Sequence, residues 1–247
     1  MTNCHTCGDL YNQVGYLNDT YNCPSCGHIY RTCPADNYEY HKNQYRKDDR
    51  FFRDNIEFDD DGSVNEHFHK ARKNIVEARR KKIEKYLDPS YSVLDIGAGA
   101  GTFIQEIKDL VGEIECNEVA DNLLAECERL GFKTYPGDIL NIEFNKQYDV
   151  VSAWHVLEHV EDIQSFRDKL VQLTKKYCII EVPLIKSMNP ANLKVRNLET
   201  PTVENWDGHS HYFTAESLEE FFEEDFEILS IEVGVQDPAV LCIMEKR

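Results

Sequence analysis

The chain has 247 residues, 41% hydrophobic and 11% aromatic, enough for one α/β domain with a full core and a small accessory segment. Its formal net charge of −18 repels polyanions, which argues against tight, charge-driven binding to nucleic acid or to an anionic membrane surface. No apolar run reaches the roughly eighteen residues of a membrane span, and the first residues lack a signal pattern, so a cytoplasmic protein is expected.

The nine cysteines fall into two groups. Cys116, Cys127, Cys178 and Cys242 lie in apolar segments and read as small buried hydrophobes in a reducing compartment. Cys4-x-x-Cys7 and Cys23-x-x-Cys26, separated by fifteen residues, have the spacing of a four-thiolate zinc ribbon spanning 1–34. Gly8 and Gly27 follow each knuckle where a left-handed turn is needed. His5, His28 and Cys33 lie nearby, but four thiolates already close a tetrahedral site. A closed site leaves no position for water or substrate, so this Zn2+ is expected to fold the segment and not to catalyse.

Residues 35–89 form the next stretch. Tyr38, Tyr40, Tyr45, Phe51, Phe52 and Phe58 are interleaved with polar residues, as in an aromatic-anchored linker or a lid. A helix over 66–87 follows, ended by Asp88 and Pro89. Between Glu66 and Lys85 it carries eight Lys or Arg against three Glu, which reads as a solvated face.

From Ser92 onward strands and helices alternate, which implies parallel βα units and a doubly wound sheet over 90–247. The apolar strand Val93-Leu94-Asp95-Ile96 runs into Gly97-Ala98-Gly99-Ala100-Gly101, then into a helix with Phe103, Ile104 and Ile107 on one face. Such a loop brings its backbone against a ligand at a helix N-terminus. Its G-x-G-x-G spacing is neither the dinucleotide G-x-G-x-x-G nor a phosphate loop with its Lys. Glu118 ends the next strand, 21 residues beyond Gly97, where a nucleoside-binding sheet places a carboxylate for the ribose hydroxyls. After a helix over 121–130 and a strand over 132–135, Gly137-Asp138-Ile139 offers a carboxylate for an adenine amino group and a neighbouring N–H for the ring.

Tyr148-Asp149-Val150-Val151-Ser152-Ala153-Trp154 is a buried strand leading into His155-Val156-Leu157-Glu158-His159-Val160. D-x-G-x-G-x-G after a strand and this D-V-V…L-E-H-V run together resemble the class I S-adenosylmethionine-dependent methyltransferases of small-molecule type, over residues 90–245. The resemblance implies a Rossmann-like seven-stranded sheet in the order 3-2-1-4-5-7-6. It also implies S-adenosylmethionine as cofactor, held by Asp95, Gly97, Gly99, Gly101, Glu118, Asp138, Ile139 and Ala153. His155, Glu158 and His159, at i, i+3 and i+4, are expected on one face of a short helix. His159 is the candidate to deprotonate or orient the acceptor, with His155 beside it. Some relatives bind a divalent ion through E-x-x-E-H and a later His; here His155 replaces the first Glu, which removes a ligand that such a site depends on.

A helix over 162–175 and a strand over 177–182 lead into an irregular segment, about 184–210, within an insertion over 184–213 of the kind that builds a substrate pocket. It ends at His209-Ser210-His211-Tyr212-Phe213-Thr214, with Thr214 capping a helix over 215–222. Related small-molecule methyltransferases show H-Y-F-T near the acceptor, which implies that His211 faces His159. Strands over 226–233 and 239–245 complete the sheet, with no large C-terminal domain of the kind carried by the cysteine-rich sugar C-methyltransferases.

The expected function is methyl transfer to an oxygen of a small-molecule or glycan acceptor. An inactive cofactor-binding module would show damage at the cofactor acids, and none is visible. Nucleic-acid methylation is opposed by the acidic balance and by the lack of an N-P-P-Y-type motif.

Overall fold

The computed structural model describes residues 3–13, 20–32, 66–184, 209–234 and 239–247. The aromatic stretch 36–65, Cys33 and most of the 184–213 segment lie outside the described residues. The chain divides into two compact units, Met1–Asn37 with Ser152–Arg247, and Tyr38–Val151.

The N-terminal part of the first unit is a small antiparallel sheet of β1 (Asn12–Gln13), β2 (Thr20–Asn22) and β3 (Ile29–Arg31). Three strands of two or three residues bury too little to stand alone. Cys4, Tyr11, Cys23 and Cys26 form their only compact centre among the described residues, with Tyr21 and Tyr30 packed on it.

In the Tyr38–Val151 unit the first described element is α1 (Glu66–Ile83), followed by a 3-10 turn at Glu84–Tyr86. Val76 and Ile83 are buried, while Lys73–Glu77 and Arg80–Glu84 pair at 3.8 and 4.0 Å along the helix. Where described, the basic stripe is thus a solvated face that meets its own acids.

The sheet strands β4 (Ser92–Ile96), β5 (Glu113–Glu118) and β6 (Lys133–Pro136) are parallel, with Asp95 opposite Cys116 and Cys116 opposite Thr134. They alternate with α2 (Thr102–Ile107) and α3 (Asp121–Arg129). Deep in this unit, Glu115 accepts from Lys133 and Lys146 at 2.9 and 2.8 Å and from the hydroxyls of Tyr135 and Tyr148. Burial raises its carboxyl, but these four donors outweigh burial and hold it down at about 2.

The strand β7 (Tyr148–Trp154) is followed by α4 (Ile163–Leu173), β8 (Thr174–Pro183), β9 (His211–Tyr212), α5 (Ala215–Phe222), β10 (Phe226–Val233) and β11 (Ala239–Lys246). The seven-stranded sheet has the order β6-β5-β4-β7-β8-β11-β10. Numbering those strands alone gives 3-2-1-4-5-7-6, as the resemblance implies. Ile179, Ile180 and Val182 of β8, and Val240 to Met244 of β11, are buried in unbroken runs, as strands covered on both faces must be. Thr214 caps α5 in a full capping box with Ser217.

One local expectation is corrected. Residues 155–162 do not form an α-helix: only a 3-10 turn, Leu157–His159, is present, because His155 takes φ 57° and breaks the helical path. After His209 and Ser210, β9 joins the small N-terminal sheet by antiparallel pairing with β3, Ile29 opposite Tyr212 and Tyr30 opposite His211. No described helix is long and apolar enough to cross a membrane.

Candidate active site

In the Tyr38–Val151 unit the glycine loop is built by three left-handed residues, Gly97, Gly99 and Gly101 at φ 67, 57 and 77°. Gly101 caps α2, and a Cβ there would sit 3.2 Å from Cys127 Sγ and 3.3 Å from Leu130 Cδ1, so the position is closed to other residues twice over. At Gly99 a Cβ would meet nothing within 4 Å, so the loop opens on empty space there. Two hydrogen bonds from Gly97 and Ala98 N–H to the Asn117 carbonyl, at 2.9 and 3.0 Å, hold the loop against the end of β5.

Glu118 pins the same loop. Its Oε2 accepts from Gly99 N–H at 2.8 Å and its Oε1 from Val119 and Ala120 N–H at 2.8 and 2.9 Å. Burial pushes this carboxyl up and the three N–H donors oppose that. Next to it, the Asn117 amide donates to the carbonyls of Tyr135 and Gly137 at 2.9 and 2.7 Å, fixing the turn after β6. Asp138 caps a 3-10 turn, Ile139–Asn141, through Leu140 N–H at 3.0 Å, with Ile139 buried. Asp95 is buried at the end of β4.

The other unit gathers histidines and carboxylates. His155 donates its backbone N–H to the Glu181 carbonyl at 2.8 Å, and its ring nitrogens lie 3.3 Å from Glu158 Oε1 and 3.3 Å from Glu181 Oε1. Burial would lower this imidazole, but the two carboxylates raise it to about 9, so it is a cation at neutral pH. Among the described residues, both oxygens of buried Glu158 lack a formed hydrogen bond. Its compensation is therefore charge from His155, and His159 Nε2 lies 3.9 Å away. His159 meets His209 edge to face at 4.6 Å between ring centroids. Glu158, His159 and His209 each offer a ligand atom within 4.8 Å of the others, a set that could also hold a cation.

In the same unit, Cys4, Cys7, Cys23 and Cys26 place all four sulfurs within 4.8 Å, with Cys4 and Cys26 at 3.7 Å and Cys7 and Cys23 at 3.4 Å. Tetrahedral zinc–thiolate geometry asks for about 3.8 Å between sulfurs. Gly8 and Gly27, at φ 80 and 76°, donate their N–H to Cys4 and Cys23 carbonyls at 3.1 and 3.0 Å, closing two matching knuckles.

Residues 67–231 match the family described as a methyltransferase domain. The chain belongs to that family. It is an enzyme with the S-adenosylmethionine-dependent methyltransferase fold. No curated protein sequence matches it. Among solved structures it is similar to magnesium protoporphyrin IX methyltransferase from Synechocystis PCC 6803 with bound SAH, at TM-score 0.61 and 14% identity over 83% of this chain and 98% of that one. It is also similar to PH0226 from Pyrococcus horikoshii OT3, at TM-score 0.57 and 16% identity over 74% and 93%. A third is the N-methyltransferase NodS from Bradyrhizobium japonicum WM9 with SAH, at TM-score 0.55 and 15% identity over 86% and 99%.

In this methyltransferase the expected cofactor residues divide between units. Asp95, Gly97, Gly99, Gly101, Glu118, Asp138 and Ile139 come together at the carboxyl ends of β4, β5 and β6. Ala153 is buried in β7 and belongs to the other unit. His155 and His159 share Glu158, but His211 does not join them. It is buried on His28, centroids 5.2 Å apart, and meets the Glu161 carbonyl at 3.2 Å, so among the described residues its ring is taken up by the N-terminal segment and Glu161. The residue beside His159 is His209, two positions earlier. The sequence signal for it is the His-x-His spacing itself, since pairing with β3 takes His211 away.

Proposed function

We propose that this methyltransferase moves the methyl group of S-adenosylmethionine to an oxygen of a small-molecule or glycan acceptor, with His159 as the base. Methyl transfer from a sulfonium is an in-line displacement, in which the enzyme aligns the nucleophile and removes its proton. The observation that carries the reading is the histidine–carboxylate set. His159 keeps part of its imidazole exposed while Glu158 stabilises the imidazolium formed on accepting a proton. His155, already a cation, is unsuited to that step and serves to neutralise Glu158 and Glu181.

The cofactor role of Asp95, Gly97, Gly99, Gly101, Glu118, Asp138 and Ile139 is supported by the open space at Gly99 and by the carboxylate that anchors it. When bound, the sulfonium supplies the electrophilic methyl. Ala153 completes the proposed cofactor set. Among the four cysteines the sulfur spacing supports structural zinc in 1–34, with 35–89 as connecting segment and helix, 90–247 as the methyltransferase domain and 184–213 as its acceptor-selecting insertion. The net charge of −18 supports a small acceptor over nucleic acid, and the buried free thiols Cys116, Cys127, Cys178 and Cys242 support a cytoplasmic setting. NodS is an N-methyltransferase, so an amine is the second acceptor to screen.

Calorimetric titration of S-adenosylmethionine tests the reading. The wild type is expected to bind saturably, and Glu118→Gln, which loses charge against three N–H donors, to bind about ten- to a hundredfold more weakly. Equal affinity in the two proteins, or no binding by folded wild type, would sink it. With binding established, His159→Ala should retain affinity and lose methyl transfer to hydroxyl acceptors.

A further inference from the structure

A line of hydrogen bonds, buried at its centre, runs from the first cysteine knuckle to the segment carrying Glu158 and His159. His5, between Cys4 and Cys7, donates its backbone N–H to the Tyr11 hydroxyl at 3.1 Å. That hydroxyl lies 2.6 Å from His28 Nδ1, His28 Nε2 lies 3.2 Å from His211 Nδ1, and His211 Nε2 lies 3.2 Å from the Glu161 carbonyl oxygen. Both imidazoles are fully buried.

The direction of every link follows from its end. A carbonyl can only accept, so His211 carries a proton on Nε2, and its Nδ1 accepts from His28 Nε2–H. His28 Nδ1 then accepts from the Tyr11 O–H. The hydroxyl oxygen, having given its proton, takes the His5 N–H. Each ring thus holds one proton, and no link has two donors facing each other.

A second tie is a single peptide unit. Ser210 N–H donates to the Glu158 carbonyl at 2.9 Å, and the Ser210 carbonyl accepts from Arg31 N–H of β3 at 2.8 Å. The knuckles are tied as well: the Gln164 amide donates to the His5 carbonyl, and Thr214 Oγ1 donates to the Cys26 carbonyl at 2.9 Å. Gly27 is what lets Thr214 approach, since a Cβ there would lie 3.0 Å from Thr214 Cγ2. Both cysteine pairs are therefore bonded to the elements flanking Glu158, His159 and His209.

We propose that the ribbon is a positioning clamp for the Glu158–His159–His209 set, with His28 and His211 as positioning residues, so that metal in the four-thiolate site fixes this set and metal removal loosens it. The proposal rests on the zinc reading and on the acceptor-side role of these residues. It gives buried His211 a task compatible with its surroundings, and it makes the ribbon part of acceptor handling without any direct contact with substrate.

Amide hydrogen exchange on the full chain tests it, with zinc content measured on the same samples. Stripping zinc with a chelator should speed exchange at the His159, Val160 and Ser210 amides by about tenfold or more, while 92–96 and 113–118 keep their protection. His211→Phe should do the same with zinc still bound. His211→Gln, whose amide can still donate to the Glu161 carbonyl, should restore most of the protection. In wild type, imidazole nitrogen spectra should show His28 and His211 as Nε2–H tautomers. A protein that holds zinc but whose three amides ignore both chelation and His211→Phe overturns the clamp and leaves the zinc reading intact. An Nδ1–H tautomer at His211 overturns it without any variant. A protein that binds no zinc overturns the zinc reading and the metal dependence with it.

Discussion

His155→Asn removes a positive charge from between two carboxylates while keeping a residue type that tolerates a left-handed backbone. Raising the imidazole from 6.5 to about 9 sets a ceiling of about 3 kcal/mol at about 1.4 kcal/mol per pH unit. The side chain is 35% exposed, so solvent screening reduces this to roughly 1.5 kcal/mol. Because the folded value lies above the unfolded one, the stabilisation is complete below about pH 6.5 and is lost as pH rises through about 9. In a chain of this size it corresponds to about 3–6 °C in Tm. Against it stands the strain of φ 57° at a non-glycine residue, on the order of 1 kcal/mol, which asparagine relieves in part. Thermal melts of both proteins should therefore show the wild type ahead at about pH 6.5 and the gap closed or reversed near pH 9.5. A gap that does not change with pH would refute the placement of a buried-site cation at His155.

Glu115 makes the opposite pH prediction. Its carboxyl is held at about 2, so its contribution is present above the ordinary carboxylate value and disappears as pH falls towards about 2. Glu115→Gln should cost about 2–3 kcal/mol in urea unfolding at neutral pH, with the difference narrowing in acid. Gly101→Ala should lose about 1–3 kcal/mol through its left-handed φ and the contacts of the new Cβ with Cys127 and Leu130. The same variant should show a smaller Tm rise on adding S-adenosylmethionine; an undiminished rise would mean that the loop does not hold the cofactor. Cys23→Ser should take metal content from about one zinc per chain to none. A wild type with no metal would remove the basis for that variant.

The sheet was legible because its rules are local. A strand buried on both faces reads as a mostly apolar run, and Ala239–Met244, unbroken, and Val150–Trp154, interrupted only by Ser152, are such runs. Thr214 and Ser217 announce α5, and glycines at alternate positions announce a loop that must turn left-handed three times. The four cysteines were legible for the same reason, since each knuckle is closed within five residues by Gly8 and Gly27. Nothing in 155–162, by contrast, signals that His155 adopts φ 57°. The i, i+3, i+4 spacing of His155, Glu158 and His159 fits a helix equally well, whereas in the fold the His155 imidazole lies 3.3 Å from both Glu158 and Glu181, a residue far away in the chain.

The histidine pair at 209 and 211 shows where local reading stops. Both residues lie in one short run, and an H-Y-F-T resemblance alone favours His211 as the acceptor-side group. What separates them is a partner far away in the chain. The β2–β3 hairpin has an open edge of three residues, Ile29–Arg31, too short to persist unpaired. His211–Tyr212 supplies that edge with a strand, and Arg31 reaches the Tyr212 hydroxyl at 3.3 Å. Once Tyr30 opposes His211, that ring is committed to the ribbon, and His209, just outside the pairing, becomes the neighbour of His159. Pairing at the β3 edge therefore decides which histidine lies beside His159, and a change that weakens β3 should disturb His209 as well as His211.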